Sequence, residues 1–267
     1  MERLKEIERS IIKKYRKEIW SKYVKGVKEF EMIKENDKLA VSISGGKHSF
    51  LVAKCMQELV RHKKFHYELE FIVMNPGYNE ENIIKIKENL KILGIDAHIF
   101  DTPIFDVADK TDNPCYLCAR MRRGYLYSYA QKLGCNKIAL GHHFDDVIET
   151  ILMNILYTGN YASMMPKLHS DNFKGMELIR PLYFVREKDI KSWAKYNGLE
   201  FIDCACSVTK KKIGKRQEVK ELVQKLNEMY KEADKCIFAS SFNVNLNTVI
   251  GYKKGNEKYT FMDDYDM

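Results

Sequence analysis

The strongest constraint on what this chain can fold into is residues 38–49, Lys-Leu-Ala-Val-Ser-Ile-Ser-Gly-Gly-Lys-His-Ser. An apolar, β-branched run is broken by paired glycines, and a helical pattern follows over residues 50–61. That order predicts a strand, a tight loop and a helix. Ser44, Gly45 and Gly46 place almost no side chain between backbone and ligand, so successive N–H groups can converge on an anion. The positive end of the following helix points at the same spot. Lys47 adds a mobile cation, and Ser49 adds a hydroxyl. The spacing is neither that of a Walker loop nor that of a dinucleotide fingerprint.

The rest of the chain supplies layers for that loop. Leu4, Ile7, Ile11, Ile12, Tyr15, Ile19 and Tyr23 recur at helical spacing, predicting a helical segment over residues 1–35. Its opposite face is basic, with Lys13, Lys14, Arg16 and Lys17, and reads as a solvated face or a nucleic-acid contact. Strands are expected at residues 67–75, 97–100, 136–141 and 179–182. Helices are expected at residues 80–93, from about 142, and at 186–198 and 216–232. Strands alternating with helices indicate an α/β fold: a parallel, five-stranded or similar sheet with helices on both faces, an N-terminal helix and a C-terminal helical extension. The expected division is 1–35, 36–235 and a tail, 236–267, that is weakly ordered or a short strand pair. In such sheets ligands sit beyond the carboxyl ends of strands. That places Asn75, at the end of one strand, and Gly141, His142 and Asp146, at the end of another, around a nucleotide pocket. Arg180 reads equally as a phosphate ligand or as an ion-pair partner.

The cysteines carry a second chemistry. No run is long enough to span a membrane, and the N-terminus is too charged for an export signal, so a cytoplasmic location is expected. Seven cysteines in such a chain argue for metal or redox chemistry rather than disulfides. Cys115 and Cys118 fall three apart at a helix start, on one face, where the dipole favours thiolate. Cys204 and Cys206 supply partners from far along the chain. Four thiolates make a closed zinc site, and three make a 4Fe–4S site with one open iron; spacing does not choose between them. Cys55, Cys135 and Cys236 read as packing residues. The net charge is +8. Arg120, Arg122 and Arg123 follow the first cysteine pair, and Lys210, Lys211, Lys212, Lys215 and Arg216 follow the second. If the two cysteine pairs meet, their rim is positive and fits a polyanionic partner.

Ser44-Gly45-Gly46-Lys47-His48-Ser49 resembles the pyrophosphate loop, Ser-Gly-Gly-x-Asp-Ser, of enzymes that cleave ATP to AMP and pyrophosphate, with His48 where the family has Asp. With Cys115-x-x-Cys118, Leu140-Gly-His-His-Phe-Asp-Asp-Val-Ile-Glu-Thr150, Met165-Pro-Lys-Leu168, Ile179-Arg-Pro-Leu182 and a late cysteine, the order is that of the tRNA 2-thiocytidine biosynthesis family. The resemblance covers roughly residues 30–225. It implies a PP-loop ATPase fold of the adenine nucleotide alpha-hydrolase kind. It also implies a sulfurtransferase in which Ser42, Ser44, Gly45, Gly46, Lys47, Ser49, Asn75, Gly141, His142 and Asp146 hold ATP with Mg2+. Lys47, Cys115 and Cys118 are its expected catalytic residues, and Cys115, Cys118 and Cys204, with Cys206 as the alternative, would hold a 4Fe–4S cluster. Zinc is the alternative metal. The implied partners are tRNA and a sulfur donor such as a cysteine desulfurase, in a homodimer with no membrane. The other functional readings are a non-thiolating nucleotide binder with a structural zinc site, and thiolation of a tRNA uridine or a small molecule.

Overall fold

A computed structural model describes residues 2–62, 66–108, 114–202, 214–263 and 265, with the backbone alone for 108 and 114–116. The N-terminal segment is two helices rather than one: α1 (Glu2–Ile12) and α2 (Ser21–Glu29), joined through a π-helical turn over Arg16–Trp20. Tyr15 N–H donates to Ser10 O and Trp20 N–H to Tyr15 O, each five residues back. A continuous α-helix would turn its apolar stripe away. The wider turn resets it, so that Ile11, Ile19, Trp20 and Tyr23 all reach the core.

The central elements follow in order: β1 (Lys38–Ile43), α3 (Lys47–Arg61), β2 (Glu68–Asn75), α4 (Glu80–Ile92), β3 (His98–Asp101), α5 (Ile104–Ala108), α6 (Pro114–Lys132), β4 (Lys137–Ala139) and α7 (Phe144–Thr158). Next come β5 (Lys167–His169), β6 (Glu177–Ile179), α8 (Glu187–Tyr196), α9 (Lys215–Met229) and α10 (Ala233–Ser240). The tail forms a separate antiparallel pair, β7 (Gly251–Lys254) and β8 (Glu257–Thr260). The main sheet runs β3-β2-β1-β4-β6-β5. Its first five strands are parallel. The sixth, β5, is antiparallel on β6 and was not anticipated; three residues are too few to show a period in sequence.

Alternate residues of each strand serve different layers. Leu39, Val41, Val73, Ala139 and Ile179 face a core with Ile7, Tyr23, Phe50, Leu90, Val147 and Trp193, from helices α1–α4, α7 and α8. Ala40, Ile72, Ile138 and Leu178 face Tyr127 and Ala130 of α6 on the other side. Each fully buried Leu, Ile or Phe contributes about 1.5–3 kcal/mol, so the two layers fix the strand register and hold the strand ends in place. Two lysines are buried with partners. Lys137 Nζ lies 2.9 Å from both Asp37 and Glu177 and donates to Met32 O at 3.0 Å. Lys54 Nζ donates to Glu8 of α1 at 2.7 Å, to Gln57 at 2.6 Å and to Leu93 O at 2.8 Å. Arg61 also grips the Glu8 carboxylate, at 2.7 and 2.8 Å. Among the described residues no helix is long and apolar enough to cross a membrane.

Candidate active site

Strand order reverses at β1: β2 and β3 lie on one side, β4 and β6 on the other. The crevice beyond the carboxyl ends of β1 and β4 is therefore the topological switch point, where ligands of open α/β sheets bind. The glycine loop and the Gly141-His142 turn both lie there. Gly45 adopts φ +86°, and Gly46 is the extended residue before α3, so Lys47, His48 and Ser49 form the helix's first turn. That turn's N–H groups have no partner within the helix and sit at its positive end. A Cβ on Gly45 would lie 2.5 Å from Ile202 and 2.9 Å from Ile86. One on Gly141 would lie 3.0 Å from the backbone of His48 and Ser49. Both glycines are thus required by close approach.

The Ser49 hydroxyl donates to Gly46 O at 2.8 Å and accepts from Ser44 N–H at 3.1 Å, so it shapes the loop from within. Tyr78 Oη reaches Ser44 O at 3.3 Å and braces the loop from β2's end. Asn75 lies where the sequence put it, but its side chain is committed to the turn. Its amide donates to Asp101 at 2.7 Å, and its oxygen accepts from Gly77 and Tyr78 N–H at 3.1 and 2.8 Å.

Above the crevice lies a cavity of about 620 Å³, lined by Ser42, Ser44, His48 and Ser49, by Gly141, His142 and Asp146, by Arg122, Arg123 and Tyr127 of α6, and by Arg180. Residues 168–172, the end of β5 and the turn after it, close its far side. The expected nucleotide residues from the two strand ends thus meet the first arginines after the cysteine pair. Lys47 lines a different depression, against Lys191, Lys195 and Glu200. Arg120 and Arg216 are exposed and do not line the cavity. Arg216 instead pairs with Asp146 at 3.0 Å.

The cavity wall is electrostatically unfinished. Among the described residues, Arg180 Nε, Arg122 Nε and His142 Nδ1 are buried without a hydrogen-bond partner. Arg180 donates to Met165 O, and burial pulls its guanidinium down to about 10; no carboxylate among the described residues pairs with it. Among the described residues nothing supports the ion-pair reading of Arg180, whose guanidinium, with Nε unpartnered, lines the cavity. Burial also pulls His142 down to about 4 and, with the charges of His143 and Lys47, His48 to about 3, so both imidazoles are neutral near pH 7. His143 caps α7: its ring accepts from the Asp146 backbone N–H at 3.4 Å while its own backbone N–H donates to the Asp146 carboxylate at 2.9 Å. Burial works to raise Asp146, but His143, His142 and Arg216 hold it below the usual range. Asp145 accepts from Glu187 N–H at 2.7 Å and so caps α8. Glu149, buried beside Arg216, is pushed up to about 7 by its burial.

Cys115 and Cys118 both fall in the first turns of α6, with Cys118 half-buried one residue before cavity-lining Ala119. Cys204, Cys206, Lys210, Lys211 and Lys212 lie outside the described residues. The ends of that stretch are described: Ile202 rests against Gly45, and Gly214 caps α9. Cys55 and Cys135 are buried, as expected; Cys236 is exposed, because the helical turn of α10 buries Phe238 and leaves Cys236 outward. The sequence reading missed Glu187, which approaches His48 to 4.0 Å, and Tyr78. Only their positions just past a strand or before a helix hinted at either.

A family described as a PP-loop domain matches residues 15–226. The chain is 38% identical over 208 residues to a tRNA-cytidine(32) 2-sulfurtransferase of Syntrophotalea carbinolica, covering 76% of this chain and 80% of that one. It is 36% identical over 226 residues to the enzyme of that name in Citrifermentans bemidjiense, covering 83% and 88%. Among solved structures it is similar to the U34-tRNA thiolase NcsA of Methanococcus maripaludis, with TM-score 0.66 and 23% identity over 88% of this chain and 80% of that one, a likeness of fold. By that match over residues 15–226 and by these relatives, the chain belongs to the PP-loop family of tRNA-cytidine(32) 2-sulfurtransferases.

Proposed function

We propose that the chain uses ATP to replace the C2 oxygen of a tRNA cytidine, at position 32, with sulfur. The observation that carries this reading is the glycine-cradled loop opening into a cavity whose buried Arg180, Arg122 and His142 nitrogens lack partners among the described residues. Such a wall is complementary to a polyanion with a purine or pyrimidine attached. ATP phosphates would lie on the amides of Gly45, Gly46 and the first turn of α3, with Mg2+ arriving on the nucleotide. The cytidine C2 oxygen attacks the α-phosphorus, and the bond to pyrophosphate breaks. Loop amides and Arg180 stabilise the charge that develops on the departing oxygens. Hydrosulfide then adds at C2, the C2–O bond breaks, AMP leaves with that oxygen, and the sulfur's proton passes to solvent.

Cys115 and Cys118, with Cys204 or Cys206, would hold a 4Fe–4S cluster, and Cys118 beside the cavity fits a thiolate donor set at that edge. When bound, the cluster supplies an open iron position at which sulfide can be held. Arg120, Arg122, Arg123 and Arg216, with Lys210, Lys211 and Lys212, would attract the tRNA backbone. A sulfur donor such as a cysteine desulfurase, a homodimer and a cytoplasmic location complete the proposal.

The test is mass spectrometry of nucleosides from tRNA of cells with and without the gene. Loss of 2-thiocytidine alone is expected; unchanged thionucleosides would overturn the reading. Iron and sulfide analysis of anaerobically purified protein separates the metals: about four irons per chain in the wild type, lost in Cys118→Ala. Stoichiometric zinc instead would favour a structural site of four cysteine thiolates.

A further inference from the structure

The side chains of His48, His143 and Glu187 converge at the wall between the loop cavity and a smaller one of about 230 Å³ beneath α8 and α9. One ligand-capable atom from each lies within 4.8 Å of the others. The His48 and His143 rings meet edge-on with centroids 4.4 Å apart. His48 Nε2 is buried without a hydrogen-bond partner among the described residues and faces Glu187 Oε1 at 4.0 Å. The ring nitrogens of His143 touch the Asp146 amide and carboxylates only at 3.4–3.7 Å, longer than firm hydrogen bonds. Glu187 is held in place from the far side by Lys220 at 2.6 Å. Half-exposed Lys191 pairs at 3.0 Å with Oε1, the oxygen that faces His48, so a bound cation takes the place of that ammonium. Two imidazoles and a carboxylate around one ion sit ~3.4 Å apart in tetrahedral coordination, so small side-chain rotations close the site.

We propose that His48, His143 and Glu187 bind one divalent first-row transition-metal cation beside the phosphate loop, separately from the cysteines. Imidazole nitrogens select zinc, cobalt, nickel or ferrous iron over magnesium, which prefers oxygen. His48 sets that selectivity, since it stands where the pyrophosphate loop otherwise has a carboxylate. The site is assayed without nucleotide or tRNA, and it rests on the sulfur-transfer reading only for the cluster that keeps the cysteines occupied.

Full-length, cluster-loaded protein, with its cysteines occupied, is titrated with Co2+ by anaerobic calorimetry. One equivalent is expected to bind the wild type, with affinity falling at least about tenfold in His48→Asn and in Glu187→Gln. His48→Asn removes no hydrogen bond of Nε2, so a matching thermal melt without metal shows that its fold is intact. In His48→Asp the preference for Co2+ over Mg2+ is expected to drop by at least about tenfold. Co2+ binding at wild-type strength in His48→Asn, or no stoichiometric binding to the wild type, overturns the proposal.

Discussion

Gly45→Ala separates the two reasons for a glycine in the phosphate loop. At φ +86° a Cβ meets its own carbonyl, at a cost of about 1–2 kcal/mol. The same Cβ would press to 2.5 and 2.7 Å from the Ile202 side chain and 2.9 Å from Ile86. Forcing a group into filled space costs about 1–3 kcal/mol. Loss of unfolded-state entropy returns about 0.4–1 kcal/mol. The net loss is therefore about 2–4 kcal/mol, or roughly 5–15 °C in Tm for a chain of this size. Urea denaturation of Gly45→Ala, Ile202→Ala and the double variant forms a cycle. Ile202→Ala removes the atoms at 2.5 and 2.7 Å, so in its background Gly45→Ala should cost only the backbone part and the Ile86 contact, about 1–2 kcal/mol. A loss below about 0.5 kcal/mol in the single variant, or an equal loss in both backgrounds, would refute the close-packing account.

Lys54→Met leaves the Leu93 carbonyl, the Gln57 oxygen and part of the Glu8 carboxylate without a donor; a stability loss of about 2–4 kcal/mol in urea is expected, short of the full loss of a buried pair because Arg61 keeps Glu8. Glu149 is raised to about 7 in the fold from 4.5, so the native state keeps its proton longer than the unfolded chain. Stability contributed by that proton is complete below about pH 4.5 and is lost as pH rises through 7, by about 3 kcal/mol in all. Glu149→Gln should lack this slope, and parallel stability profiles for wild type and variant between pH 5 and 8 would contradict it. Arg180→Gln should weaken ATP binding about 10–100-fold in calorimetry with little change in Tm, because among the described residues the only hydrogen bond lost is to Met165 O; unchanged affinity would remove Arg180 from the anion wall.

What could be read from the sequence was whatever short-range geometry dictates. Paired glycines after an apolar strand admit few backbones, and the loop appears where the string placed it. Asp145 and Asp146 follow the histidines at a strand end and do cap helices, one of them the distant α8. The role of Arg180 was undecided because it turns on what stands opposite in the fold: among the described residues, a backbone carbonyl and no carboxylate. The break between α1 and α2 exists to seat Trp20 and Tyr23, a packing demand with no local residue signal. Asn75 stands at the strand end where the sequence puts its backbone beside the pocket, and its side-chain amide is tied to Asp101, a residue on the neighbouring strand, which only the fold reveals. His48 and Glu187 come together only because α8 returns beneath the loop helix.

Lys54 gives the N-terminal helix an importance that family boundaries hide. The family match begins at residue 15, beyond α1, yet α1 carries the carboxylate that neutralises an ammonium in the middle of α3. The first turn of that same helix presents its amides to the phosphate crevice. Detachment of α1 is therefore no local fraying: it strands a charge in the interior of the helix on which the nucleotide end is mounted. The expected signature is amide exchange in α1 and α3 through one shared cooperative opening. A chimera that grafts residues 15–226 of this chain behind a foreign leader inherits the loop but lacks its counter-ion.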